Sequence, residues 1–169
     1  MLIILLNFAN GLTNAANNRI MNSGGDGLDI TGASGAIPRN DNARMQAHAE
    51  LYYEEIRKRN SDGAAIALNT GFSIEDVGKI KRHIFIDTHD LGKKSSSRFE
   101  PDYDMAISWQ RLIDGKNIKE MDIVLLNHEL SELKLMEQGL NYDEAHKLTE
   151  VKYNYNKYVK ELDAKEGIF

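Results

Sequence analysis

The stretch Ile123-Val124-Leu125-Leu126-Asn127-His128-Glu129-Leu130-Ser131-Glu132-Leu133-Lys134-Leu135-Met136 constrains the fold more than any other part of the chain. At about 100° per residue, Leu125, His128, Glu129, Glu132, Leu135 and Met136 share one side of a helix, and Leu126, Leu130 and Leu133 widen the same apolar arc. A helix with so broad an arc has to be covered by neighbouring elements. Its histidine and two glutamates are then carried out of water as well. Burying a carboxylate costs several kcal/mol unless a hydrogen bond, a counter-charge or a metal offsets the loss. The pattern therefore predicts a packed helical domain and marks His128, Glu129 and Glu132 as the place where chemistry is to be sought.

A chain of 169 residues suits one domain, and at this size roughly two-thirds of the unfolded surface can be buried. Twenty-one Lys and Arg against 26 Asp and Glu give a net charge of -5, which argues against a protein that coats nucleic acid through its overall field. The absence of cysteine excludes disulfides and thiolate zinc sites and leaves the compartment open. The apolar start Met1–Leu6 is far shorter than the ~20 residues of a membrane span, and no cation precedes it as in a secretory signal. Between Asn14 and Pro38 the chain is rich in Asn, Gly and Ser, so residues 1–40 are expected to form a flexible N-terminal tail before a helical domain over 41–169. Such a tail can be the native start or the remnant of a longer, delivered protein.

From Asn42 the pattern is helical, and about six helices are expected: Asn42–Arg59, Ala64–Asn69, a third ending near Phe85, then Tyr103–Asp114, Lys119–Gln138 and Tyr142–Ala164. Ser73 with Asp76 forms a capping-box signal for the third helix, and Phe72 can staple onto Val77. Gly115 and Gly139 mark helix stops. The polar stretch Thr88–Asp102 reads as a long loop. No strand pattern emerges, so the expected class is all-α, a single compact multi-helix domain.

Ala67, Gly71, Val77 and Ile80 have the spacing of a helix-turn-helix corner. Glu75 and Asp76, however, stand at the start of the would-be recognition helix, where they would meet phosphates with the wrong sign. A structural corner is the favoured reading, and a DNA-binding one the alternative.

The order of Leu51-Tyr52-Tyr53-Glu54-Glu55-Ile56-Arg57, Thr70-Gly71-Phe72-Ser73, Lys81-Arg82-His83-Ile84-Phe85, Arg98-Phe99-Glu100-Pro101-Asp102-Tyr103-Asp104-Met105, Trp109-Gln110-Arg111-Leu112, His128-Glu129-Leu130 and Tyr142-Asp143-Glu144-Ala145-His146 resembles a C-terminal domain of phage head-morphogenesis proteins and modular bacterial secreted toxins. It covers about Ala43 to Leu162. The resemblance implies an antibacterial effector neutralised by a dedicated immunity protein. It brings no settled catalytic residues, so the site is argued from the chain itself.

His128 and Glu132 are four apart and can reach one point from a single helix face, as paired metal ligands do, with Glu129 as base or outer partner. This is not the zinc-protease pattern, because Glu132 stands where a second histidine is needed. A buried histidine–glutamate network fastening helices is the competing reading. His83 and His89 flank the end of the third helix, with His89 a further catalytic candidate. His146, in the last helix, is expected to approach the C-terminal half of the preceding helix more easily than His128 itself. Asp102 can cap the fourth helix or join a divalent metal with His128 and Glu132.

Between Lys79 and Arg98 six cations face two acids. Arg82, Lys93, Lys94 and Arg98 are thereby candidate phosphate contacts, with solvated helix-end and loop positions as the plainer account. Two function classes follow. One is a toxin-type, metal-assisted hydrolase acting on nucleic acid. The other is a non-catalytic phage adaptor or helix-turn-helix binding module.

Overall fold

The computed structural model describes residues 37–91 and 95–165. These residues form seven α-helices: α1 (Asn42–Lys58), α2 (Asp62–Thr70), α3 (Ile74–Lys81), α4 (Tyr103–Asp114), α5 (Glu120–Glu137), α6 (Tyr142–Lys152) and α7 (Tyr155–Lys165). The fold is all-α. Among the described residues, no helix is long and apolar enough to cross a membrane.

Local signals set the helix ends. Asp41, Ser73, Asp102 and Asn141 each accept a bond from a backbone N–H of the first turn. Gly71 and Gly115 close α2 and α4 at φ 80° and 66°. At Gly115 a side chain would also meet the Asn69 amide, whose Nδ2 donates to the carbonyls of Leu112 and Ile113. Helix α3 does not end cleanly. It widens into a π turn over Arg82–Ile86, closed by the Asp87 N–H on the Arg82 carbonyl at 2.7 Å.

The main core joins α1 to α5: Tyr53, Ile56, Ile66, Val77, Ile80, Phe85, Trp109, Leu112 and Leu126 are buried together. Phe85 meets both Tyr53 and Trp109 edge-on, with ring centroids 4.6 and 5.0 Å apart. A second cluster places Met121, Leu125 and Tyr155 between α5 and α7. Helix α5 packs on α3, α4, α6 and α7, which is the cover its broad apolar arc requires.

Two expectations change, and a third, the loop before α4, gains a detail. The tail expected over 1–40 lies outside the described residues as far as 36, but 37–40 belong to the domain. Ile37 packs with Ala49, Tyr103 and Ile107, and Arg39 pairs with Asp104 and Asp163. The single helix expected over Tyr142–Ala164 is two, interrupted at Tyr153 and Asn154. The Asn154 side chain accepts the Lys157 N–H at 2.8 Å, a bond that starts α7 afresh. The loop before α4 is pinned by one antiparallel bridge between His89 and Ser97.

The corner of α2 and α3 forms as the spacing predicts, with Val77 and Ile80 buried and Lys79 paired to an exposed Glu75 at 2.9 Å. The acids at the start of α3 stay in place, which suits a structural corner.

Candidate metal centre

Helices α5 and α6 form an antiparallel hairpin around Gly139. Glu132 lies seven residues before that glycine and His146 seven after it, so the hairpin sets them opposite one another. His128, one turn earlier on α5, stands beside both. The result is a triangle of ligand atoms. His146 Nδ1 is 2.8 Å from Glu132 Oε2 and 3.2 Å from His128 Nε2, and His128 Nε2 is 3.6 Å from Glu132 Oε2.

The protonation of His128 follows from its other nitrogen. Its Nδ1–H donates to the Tyr153 carbonyl at 2.7 Å, so in the neutral ring Nε2 carries a lone pair that points into the triangle. That carbonyl is available because the α6–α7 interruption lies there: Lys157 N, which would bond Tyr153 in a continuous helix, is taken by Asn154. His146 has two states. With Nδ1 protonated it donates to Glu132; with Nε2 protonated, that N–H faces Glu150, whose Oε1 is 3.8 Å away, and Nδ1 becomes an acceptor. In the second state three acceptor atoms face one another with no hydrogen between them. A point equidistant from all three lies about 1.9 Å from each in their plane, close to the ~2.0–2.2 Å bonds zinc makes to histidine nitrogen and carboxylate oxygen. His128, Glu132 and His146 can hold a metal ion.

The other face of Glu132 is different. His83 Nε2 lies 2.8 Å from Glu132 Oε1 and 3.7 Å from Glu129 Oε2, a second group close enough to surround a cation. His83 is fully buried, and its Nδ1 has no partner. Ligation through Nε2 would leave a buried, unpaired N–H at Nδ1, whereas donation from Nε2 leaves only a buried lone pair, the smaller loss. His83 therefore acts as a donor that turns Oε2 of Glu132 toward the triangle.

Charge follows this layout. Burial alone would raise the Glu132 carboxyl, but the imidazoles of His128, His146 and His83 outweigh it and hold the group well below the usual carboxylate range. The same carboxylate raises His146 above the ordinary imidazole value, against an opposing effect of burial. Glu129 goes the other way. Burial first, and then the charges of Glu132 and Asp102, push its carboxyl far up.

A cavity of about 210 Å³ opens onto the cluster. His128, Glu129, Glu132 and His146 form its floor. Phe99, Met105, Tyr142 and Tyr155 form apolar walls, with Glu100 and Asn156 completing the lining.

Of the predicted residues, His128, Glu129 and Glu132 come together as expected. The others that the structure describes do not join them. His89 donates through Nε2 to the His83 carbonyl at 2.8 Å and stacks on Phe99, so it buttresses the site from behind. Asp102 caps α4 by accepting the Met105 N–H at 2.8 Å, which is the plainer of its two expected roles. Arg98 is exposed and donates to the Ile86 carbonyl, and Arg82 is exposed; neither lines the cavity. Lys93 and Lys94 lie outside the described residues.

One histidine was placed too far away by sequence reasoning. His146 does meet His128, because Glu132 draws it in from between them; counting outward from Gly139 would have paired 132 with 146. His83 does lie at the end of the third helix, and the π turn there carries it inward. No known protein family, curated protein or solved structure matches the chain.

Proposed function

We propose that this protein is a metal-dependent hydrolase whose ion is held by His128, Glu132 and His146. One observation carries the reading: three possible ligand atoms from two helices converge at metal-ligand spacing and line an open cavity. Three protein ligands with a free position are the arrangement of catalytic rather than structural zinc sites. The second histidine that the α5 segment lacks is supplied by α6, so the donor set is two imidazoles and a carboxylate. An ion there supplies a water acidified toward neutral pH and polarises a substrate oxygen.

The chain's own groups complete the chemistry. Glu129 follows His128 directly and lines the same cavity, placed to take a proton from that water and return it to the leaving group. A neighbouring cation draws its raised carboxyl back toward ionisation. His83 and the Tyr153 carbonyl hold Glu132 and His128 in their ligating orientations. The resemblance to phage and secreted-toxin domains supports a bacterial target and a dedicated immunity protein.

The test has two arms. Purified chain equilibrated with zinc and desalted is expected to retain about one ion, and His128→Ala or His146→Ala none; a folded wild-type chain that retains no divalent metal overturns the metal centre. Expression in bacteria should arrest growth for the wild type and not for His128→Ala/Glu132→Ala. Equal growth, with both forms folded, overturns the toxin reading.

A further inference from the structure

We infer that the substrate is a peptide or similar amide, bound through one apolar side chain, and not a phosphodiester. The inference rests on the metal-centre reading above and adds the substrate class to it.

Charge is the first ground. Among the described residues no lysine or arginine lines the cavity, while the carboxyl groups of Glu100, Glu129 and Glu132 do. A nucleic acid brings a full negative charge with every linkage and is bound through cations placed along its backbone. The guanidinium groups of Arg39, Arg57, Arg98 and Arg111 are each held by carboxylate or carbonyl partners outside the cavity. An amide is neutral and meets no such repulsion.

Shape is the second. At about 210 Å³ the cavity is smaller than the ~300–1,000 Å³ typical of small-molecule sites, so it receives a group of side-chain size and not a strand of nucleotides. Its walls match that occupant. Phe99 and Tyr142 have ring centroids 5.3 Å apart, Tyr142 stacks on the proposed ligand His146 at 5.5 Å, and Met105 and Tyr155 line the cavity with them. Tyr155 has its hydroxyl on Ser108, 3.1 Å away, which turns its ring and not its polar end to the cavity. An aromatic or branched aliphatic side chain seated there places its own backbone amide against the metal face.

The reaction is hydrolysis. The water oxygen bonds to the amide carbonyl carbon, the C–N bond breaks with its electron pair going to nitrogen, and one water proton passes to that nitrogen. A carboxylic acid and an amine result.

The experiment uses the full chain loaded with zinc and assayed for bound metal. It is offered internally quenched peptides in which one central position is Phe, Leu, Glu or Lys, and single-stranded DNA and RNA of about 20 nucleotides. Cleavage is expected at Phe and Leu, with kcat/KM about 10- to 200-fold above that for Glu. Phe99→Ala should lower kcat/KM for the Phe peptide by about 10-fold or more with zinc content unchanged, and Phe99→Leu should recover most of the loss for the Leu peptide. Bound zinc with no peptide cleavage, or with cleavage of DNA or RNA, overturns this inference alone. A folded chain that binds no zinc overturns the metal centre and this inference with it.

Discussion

Asp62 and Glu132 are both buried almost completely, and their surroundings are opposite. Asp62 is matched by donors: Lys81 Nζ at 3.0 Å, Trp109 Nε1 at 3.2 Å and the Gly63 N–H at 3.1 Å. One charge faces one charge. Glu132 sits among three imidazoles and a second carboxylate, and when His146 carries its proton on Nε2, acceptors face acceptors on its Oε2 side. Burial alone does not separate a site from a fastener. The balance of donors and acceptors does: a closed account marks structure, and a surplus of lone pairs beside a cavity marks a place for a cation.

The largest effect should come from breaking the closed node. Asp62→Ala leaves Lys81 buried without its counter-charge and is expected to cost about 3–5 kcal/mol in urea unfolding, while molecules that still fold bind zinc normally. A loss below 1 kcal/mol would mean that water reaches Lys81.

Zinc should reverse the order of the two nodes. At a hundred times its dissociation constant, the ion is expected to raise wild-type stability by about 2.7 kcal/mol. That gain should vanish in Glu132→Gln and His146→Ala and survive in Asp62→Ala, as read by urea midpoints with and without metal. A similar gain in all four proteins would place the ion elsewhere.

Smaller changes should follow pH. In the metal-free chain His146 binds its proton more tightly folded than unfolded, so its contribution is complete below the ordinary value of 6.5 and is lost as the pH rises through the higher folded value. Glu132 is shifted down, so its contribution is complete above 4.5 and is lost as the pH falls. The stability difference between wild type and His146→Ala, measured with chelator present, should therefore peak between those values and shrink on both sides. A difference that is flat from about pH 5.5 to 8.5 would refute the His146–Glu132 pairing.

The smallest effect concerns the helix that carries His146. Asn141 and Glu144 form a capping box at its start, and Asn141→Ala should cost about 1 kcal/mol and weaken zinc binding less than loss of either histidine does. Isothermal titration measures both quantities on one sample.

Much of this fold is legible in the sequence, and the reasons are local. Helical periodicity, the Ser73 cap and the stops at Gly71 and Gly115 act within a few residues, so the helices and the α2–α3 corner follow from reading along the chain. The α5 half of the candidate site is legible for the same reason, since His128, Glu129 and Glu132 share one turn. The inward aim of His83 and the approach of His146 are not legible, because they depend on a π turn and on a hairpin register. The break at Tyr153–Asn154 was missed because its only signal is one asparagine within a helical pattern. Charge in sequence says nothing about which face it occupies, and of the basic residues 82–98 the described Arg82 and Arg98 sit outside the cavity.

The π turn at Arg82–Ile86 can also be viewed as a matter of chain length. A π turn is an α-turn that has accommodated one extra residue, so a single-codon deletion within 82–86 could be absorbed by returning to ordinary helix. The residues beyond the deletion would then rotate by about 100°. Phe85 would leave its place between Tyr53 and Trp109, and a deletion ahead of His83 would swing the imidazole off Glu132. One inserted residue thus links the packing of the core to the aim of the carboxylate. A lineage that gained the insertion would have acquired both together.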